Sequence, residues 1–260
     1  YNADLKYAHY NGSTWEVDTV NSRNSTGMYP SLAHDASNNP VVAYYQPTGG
    51  LLMSANKAAG SWSFSVVDGQ QAFTGGPAGT EDVGRYPSLA LNPATARWAV
   101  AYENTSTGVF KYAEQGSGGA WMNTVYDATT KWGGGYVSLA FDASNSPCVS
   151  YYDAYPADLK YARRSGTAWA CQTVAAKSSQ GLYTSLWFEG SNARIAYWYK
   201  NGDNLVLASQ SGGTWAFDVL VQGAGREARV ACNPLKPLGG TDYLAASWYV
   251  GSSGGLECDV

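Results

Sequence analysis

Short apolar runs alternate with turn-forming residues along the whole chain, and this pattern predicts a protein built from short β-strands. One run, Tyr29-Pro-Ser-Leu-Ala33, recurs in related form, with copies that begin at residues 29, 86, 136, 183 and 227. The copies follow one another at a period of about 50 residues, which indicates a repeated supersecondary unit. The repeat therefore determines the predicted architecture more than any single residue does.

Each repeat contains four strand-like runs in the same order. In the first copy the first run is followed by a turn over residues 35–40, where Asp opens the turn and Pro restarts an extended chain. A second run (residues 41–45) and a third run (residues 52–55) follow, and a glycine-containing turn leads to a fourth run that starts with Trp62. Four short strands joined by hairpin turns predict one blade of a β-propeller.

We therefore predict an all-β fold: a single domain over residues 1–260 that forms a five-bladed β-propeller with four antiparallel strands in each blade. The N-terminal strands (residues 5–20) are expected to pair with the C-terminal strands (residues 228–249) and so close the ring. One segment, Gly255–Val260, is a surplus third-strand-like run. We interpret it as a frayed tail, with pairing to another subunit or continuation into more chain as alternatives.

Composition narrows the possible partners. The chain is 45% hydrophobic and only 14% charged, and its formal net charge is −4. It has no run of Lys and Arg to neutralise phosphates, so nucleic acid is not expected as a partner. No apolar run reaches the roughly 20 residues of a membrane-spanning helix. The chain begins with Tyr1 rather than Met, which predicts either a removed secretion signal or a piece of a longer protein.

The four cysteines (Cys148, Cys171, Cys232 and Cys258) include no C-x-x-C pair, and the chain has only two histidines. A zinc site is therefore not expected, and the sequence predicts neither a metal nor another cofactor. An even number of cysteines would suit two disulfides in an oxidising compartment, but the sequence leaves their pairing open.

The stretch from Ser138 to Ala162 resembles an extracellular bacterial repeat of the form S-L-A-x-D-x-x-G-N-P-x-V-S-Y-Y-D…D-L-K-Y-A. That resemblance implies a propeller on secreted or cell-surface proteins, generally without an assigned activity. The turns Gly12-Ser-Thr-Trp15 and Gly212-Gly-Thr-Trp215 are similar to the Asp-box of sialidase-like propellers. The position of the defining Asp holds Tyr10 and Gln210, so the box is incomplete, and in its family it is structural.

Repeated aromatic residues are the first candidates for a ligand site. Tyr29, Tyr86, Tyr136 and Tyr183 start four innermost strands, so the predicted topology brings them to one mouth of the central channel. Aromatic faces suit sugar rings or cations, but each Tyr could instead wedge against the next blade. The tryptophans that lead the fourth strands are interpreted as packing residues, and His34 is interpreted as a buried structural histidine.

The loops between blades break the repeat, and we expect them to share a face with the tyrosines. Their charged and aromatic residues could hold a carboxylated or hydroxylated ligand, or could simply be solvated. These candidates are Arg23, Glu81, Asp82, Arg85, Trp132, Glu227 and Arg229.

The predicted function is a secreted or cell-surface module that binds a glycan or a protein. A glycoside hydrolase or lyase is the first alternative, with acids drawn from Glu227, Glu81 and Asp82. A structural subunit joined through the terminal strand is the second alternative. No Ser-His-Asp set, phosphate loop or paired-histidine motif is visible, so no catalytic residue is assigned.

Overall fold

The computed structural model describes residues 3–23, 25–69, 81–126, 133–176, 179–223, 226–232, 244–250 and 255–259. The chain divides into two units, residues 1–126 and residues 127–260, and each is described by itself. Side chains of residues 123–134 and 226–260 lie outside the described part.

The first unit contains a hairpin and two four-stranded antiparallel sheets, whose strands follow one another in chain order. The hairpin consists of β1 (Leu5–Tyr10) and β2 (Trp15–Asn21). The first sheet consists of β3 (Met28–His34), β4 (Pro40–Gln46), β5 (Leu51–Ala58) and β6 (Ser61–Asp68). The second sheet consists of β7 (Val83–Asn92), β8 (Arg97–Asn104), β9 (Val109–Gln115) and β10 (Trp121–Tyr126).

The second unit has the same antiparallel strand order in three further sheets. The third sheet consists of β11 (Gly133–Phe141), β12 (Pro147–Asp153), β13 (Asp158–Ser165) and β14 (Ala168–Ala175). The fourth sheet consists of β15 (Gln180–Glu189), β16 (Asn192–Tyr199), β17 (Asn204–Ser211) and β18 (Thr214–Gln222). The fifth sheet consists of β19 (Arg226–Cys232), β20 (Leu244–Val250) and β21 (Gly255–Asp259).

The predicted all-β, antiparallel class is confirmed, and no helix occurs among the residues that the structure describes. The innermost strands β3, β7, β11, β15 and β19 begin one to three residues before the repeated phrase. No helix within the described ranges is long and apolar enough to span a membrane.

The predicted pairing of the N-terminal strands with the C-terminal strands is wrong. β20 has β19 along one edge and β21 along the other, so neither of its edges is left for a strand from the N terminus. The surplus segment is thus the third strand of the fifth sheet rather than a frayed tail, and it pairs from Ala246↔Asp259 to Val250↔Gly255. It follows β20 closely in the chain, so a short loop brings it to that edge at a low entropy cost.

In each of the first four sheets, the second strand is the most buried element. All seven residues of β4 are buried, and the Tyr side chains at the repeated position are among the largest fully buried groups of the chain. These residues are Tyr44, Tyr102, Tyr151 and Tyr197. Strands covered on both faces lose the simple alternation of apolar and polar residues, as the repeated runs predict.

Two contacts join neighbouring sheets in both units. A Cβ added to Gly84 of β7 would lie 2.7 Å from Leu52 Cα of the first sheet, and one added to Gly181 of β15 would lie 2.8 Å from Leu159 Cα of the third sheet. The Ser of the repeated phrase accepts a hydrogen bond from the next sheet, with distances of 3.0 and 2.9 Å. These bonds are Leu89 N–H to Ser31 Oγ and Leu186 N–H to Ser138 Oγ.

The fourth-strand tryptophans provide a third contact between neighbouring elements. Trp62 meets Tyr7 edge-on with ring centroids 5.6 Å apart, and Trp215 meets Tyr161 in the same way at 5.7 Å. Trp15, by contrast, is 69% exposed, so the packing interpretation is wrong there.

His34 also departs from its prediction, because its side chain is exposed rather than buried. It shares the exposed face of β3 with Leu32, and its Nε2 lies 3.4 Å from the hydroxyl of Tyr7. Two cysteines are described, and neither is in a disulfide: Cys148 is buried and Cys171 is exposed. Burial raises the pKa of Cys148 to about 11, which keeps this thiol protonated near neutral pH.

Candidate functional site

The inner strands β3, β7, β11 and β15 each start with an irregular backbone that turns their Tyr out of the normal alternation. In β7 the register shifts on both sides of Arg85, and the preceding Gly84 has φ of +105°. The four repeated tyrosines all have left-handed backbones, with φ between 49° and 54°. A left-handed non-glycine residue costs about 1–2 kcal/mol, so this backbone strain occurs at each of these four repeats.

In the first unit this geometry brings two candidate tyrosines together. The ring centroids of Tyr29 and Tyr86 lie 4.4 Å apart, with an angle of 42° between the ring planes. Tyr45 of β4 lies behind them, 6.4 Å from Tyr29 by ring centroids. The arrangement forms an aromatic wall from two neighbouring sheets.

A carboxylate and a guanidinium lie against this wall. Tyr45 donates its hydroxyl to Asp82 Oδ1 at 2.7 Å, and Arg85 donates Nη2–H to Asp82 Oδ2 at 3.1 Å. The Arg85 guanidinium also lies 5.4 Å from the centroid of the Tyr45 ring. The Asp82 and Arg85 side chains remain 35% and 39% exposed, so a ligand can reach both.

The backbone of Asp82 is held on two sides. Its N–H donates to Ser106 Oγ at 2.7 Å, and its carbonyl accepts from both the N–H and the hydroxyl of Thr105. Val83 N–H donates to the carbonyl of Gly50 at 3.1 Å, which joins the segment to the first sheet. The carboxylate is therefore fixed in place before any ligand binds.

Glu81 points into a separate polar network beside the wall. Its carboxylate accepts from Asn104 Nδ2 at 3.1 Å and lies 3.5 Å from Lys111 Nζ. Lys111 also forms a 2.6 Å ion pair with Asp68, which accepts the Tyr102 hydroxyl at 2.6 Å. The pKa of Tyr102 is raised, mainly by burial. This network supports the segment that carries Asp82.

A carboxyl that sequence reasoning did not select lies directly across from Arg85. Glu103 of β8 is paired with Arg85 in the register of the second sheet. Within the described part of the chain, no hydrogen-bond donor or ion-pair partner reaches its carboxyl. Burial raises the pKa of Glu103, with Asp82 adding to the shift and Arg85 opposing it.

The internal repeat makes this pair distinctive. The facing pairs at this register are Met28 and Tyr45, Arg85 and Glu103, Gly135 and Tyr152, and Leu182 and Trp198. Only the second sheet places two charged residues there among these four pairs. Residues that serve packing are expected to recur in every repeat, so a residue that departs from the repeated pattern indicates a separate role. An alignment on the Tyr45 position would have identified Glu103.

The second unit repeats the aromatic wall, with uncharged residues at the described positions that correspond to Asp82 and Arg85. The ring centroids of Tyr136 and Tyr183 lie 4.3 Å apart, and Tyr183 lies 6.1 Å from Trp198. Ser179 and Leu182 hold the positions of Asp82 and Arg85. The tyrosine pair alone therefore belongs to the common repeat, whereas the charged array belongs to the second sheet.

The remaining predicted residues do not join this group. Arg23 is exposed, and its N–H donates to Asn21 Oδ1 at 3.0 Å. Trp132 lies outside the described residues. Glu227 and Arg229 lie on β19, but their side chains are outside the described part. Among the described residues no group of three or more His, Cys, Asp or Glu side chains could hold a metal ion.

No protein-family model matches the sequence, and no curated protein matches it. Solved structures resemble it in fold. A six-bladed β-propeller lectin from Aleuria aurantia has a TM-score of 0.63 at 10% identity, over 100% of this chain and 87% of that chain. A Hadza microbial sialidase scores 0.61 at 12% identity over 90% of this chain, which spans only 58% of that protein. A polysaccharide lyase, an ulvan lyase, scores 0.57 at 11% identity, over 96% of this chain and 67% of that chain. These likenesses show a β-propeller fold.

Proposed function

We propose that this protein is a carbohydrate-binding β-propeller, with a sugar site formed by Tyr29, Tyr45, Asp82, Arg85 and Tyr86. The observation that carries the proposal is the fixed Asp82–Arg85 pair against the Tyr29–Tyr86 wall. Lectins, a sialidase and a polysaccharide lyase among the structural neighbours support the same class of ligand.

The chemistry of the site suits a sugar ring. Tyrosine faces contact the C–H surfaces of a pyranose, and their hydroxyls supply polar edges. Asp82 accepts two hydrogen bonds and keeps further acceptor capacity, while the guanidinium of Arg85 has five N–H donors, one of which binds Asp82. Adjacent sugar hydroxyls need such neighbouring donors and acceptors, and a largely preformed site loses little entropy on binding.

Truncating Arg85 tests the site directly. We expect Arg85→Ala, and separately Asp82→Asn, to weaken binding of the sugar that scores highest on a glycan array by about tenfold or more, because each removes hydrogen bonds with a charged partner. Isothermal titration calorimetry measures the change.

The matched control is Arg97→Ala. Arg97 is exposed on the same sheet, at the far end of β8 and about 20 Å along the strand from Glu103. The Arg97→Ala variant should bind the sugar with the same affinity as the unaltered chain. Equal affinity in all variants would exclude Asp82 and Arg85 from the site.

A glycoside hydrolase is the second candidate function, because the site contains two carboxyls in different environments. Burial raises the pKa of Glu103, which suits a proton donor, whereas Asp82 accepts two hydrogen bonds. The proposal predicts turnover of a p-nitrophenyl glycoside that is lost in Glu103→Gln. If a sugar that binds is never cleaved, the function is binding alone.

We also propose that the sheets are blades of a five-bladed ring, since five innermost strands carry the repeated phrase. A crystal structure with β1–β2 in a sixth sheet would overturn that count. We propose a single domain over residues 1–260. A secreted or cell-surface location is proposed from the resemblance of Ser138–Ala162 to the extracellular repeat. A protein partner in place of a glycan would appear in pull-down experiments.

A further inference from the structure

We propose that the ligand of this site is an amino sugar, a hexose unit whose protonated primary amine binds Glu103. The inference rests on the proposed sugar-binding function and adds the chemical class of the sugar. It depends on three observations: an accessible carboxyl without a donor, the balance of charge at the site, and the aromatic faces beside it.

Glu103 is the acceptor that the protein leaves unused. Its carboxyl is partly exposed, lies opposite Arg85, and has no hydrogen-bond donor among the described residues. A partly buried carboxylate is unfavourable without a donor, so a ligand that supplies one gains the full interaction. In the three other described inner pairs, an aromatic side chain occupies this position. The carboxyl is therefore not required for packing.

The two nearby cations are already committed to protein acids. Arg85 is paired with Asp82 and faces the Tyr45 ring, and its Nε is buried without a partner, where a ligand cannot reach it. Lys111 is only 17% exposed and lies between Asp68 and Glu81. A ligand carboxylate would have to compete with these groups.

The local charge favours a cation. Asp68, Glu81, Asp82 and Glu103 outnumber Arg85 and Lys111 by two, so the fully ionised group has a formal charge of −2. An ammonium group at Glu103 would compensate part of this excess and form a charge-assisted hydrogen bond. The same negative charge disfavours uronic and sialic acids, which carry carboxylates.

The aromatic wall adds to the preference for an amine. Tyr86 directly follows Arg85 in the chain and packs against Tyr29, and Arg85 faces Glu103 across the two strands. A tyrosine face attracts an ammonium group within about 6 Å of its centroid. A glucosamine-type ring can therefore place its C–H face on a tyrosine while its amine reaches the carboxyl.

The experiment compares three trisaccharides on the purified 260-residue chain by isothermal titration calorimetry at pH 6. Tri-glucosamine carries protonated amines, tri-N-acetylglucosamine has the same ring with the amines neutralised, and trigalacturonic acid carries carboxylates. We expect tri-glucosamine to bind at least about tenfold more tightly than the acetylated form, with the acidic form weakest.

Glu103→Gln should remove this preference, so that the variant binds tri-glucosamine and tri-N-acetylglucosamine with equal affinity. Glu114→Gln, which alters an acid at the far end of the same sheet, should keep the preference. Circular dichroism melts check that both variants fold, and the comparison of ligands on the unaltered chain needs no variant.

Equal affinity for the amine and its acetylated form, or a preference for the acidic trisaccharide, would overturn the inference and leave sugar binding intact. Binding of no sugar on a broad glycan array would instead remove the proposed function, and the inference with it.

Discussion

Replacing Gly84 with alanine should lower the free energy of unfolding by about 2–5 kcal/mol. An alanine at φ of +105° costs about 1–2 kcal/mol, and its Cβ would lie 2.7 Å from Leu52 Cα, so a backbone must move. Gly84 immediately precedes Arg85 in the Gly-x-Tyr segment that ends at Tyr86, so the same movement should weaken sugar binding. Urea unfolding and calorimetry measure the two effects.

Gly12→Ala is the matched control for the backbone cost alone. Gly12 has nearly the same conformation, with φ of +98°, and nothing lies within 4 Å of the point that an alanine Cβ would occupy. We expect a loss of about 1–2 kcal/mol there. If both variants lose the same stability, the close approach of the two sheets at Leu52 is not what requires glycine.

Asp68→Ala should cost about 3 kcal/mol of stability. The substitution leaves Lys111, whose side chain is 17% exposed, with only the longer contact to Glu81, and it also removes the acceptor of the Tyr102 hydroxyl. Breaking a buried ion pair from one side leaves an uncompensated charge, which is the costly part. Urea unfolding at neutral pH measures the loss.

The double variant Asp68→Ala with Lys111→Met should recover part of that stability, since it removes the stranded charge. Asp4→Ala is the comparison, because the Asp4 side chain is as buried as that of Asp68 (11% against 12% exposed) whereas its partner Lys6 is 50% exposed. It leaves only a solvated charge behind and should cost no more than about 1 kcal/mol. A double variant no more stable than Asp68→Ala would mean that the Lys111 charge is not the source of the loss.

The strand order could be predicted from the sequence because each repeat contains its own turns and packing residues. The exact strand starts could not, since the Gly-x-Tyr segments join β3, β7, β11 and β15 through backbone irregularities that a simple alternation does not encode. The place of β21 was also missed. The sequence contains a surplus third-strand pattern, so two strands, β1 and β21, were candidates for the same edge of β20. The shorter loop to β21 favours the pairing that the structure has.

The candidate site was predicted in part. Tyr29, Tyr86, Asp82 and Arg85 were selected from repeat position and loop composition, and the structure brings these four together in the first unit. Glu103 was missed because it lies within β8, whereas the charged candidates were selected mainly from the loops between blades. Glu81 was selected on proximity in the chain, but its side chain faces Lys111 and Asn104 instead. Direction of side chains, rather than identity of residues, was the missing information.

The contacts between sheets use the glycine, serine and tryptophan positions of the repeat, whereas Arg85 and Glu103 occupy positions that take part in none of these three contacts. If Arg85 and Glu103 bind the ligand as proposed, scaffold and recognition are encoded at separate sites within one module. Mutation can alter the recognition pair of one repeat while the docking surfaces stay the same. A duplicated array of this kind can therefore diversify its ligands one module at a time, without any change in how it assembles.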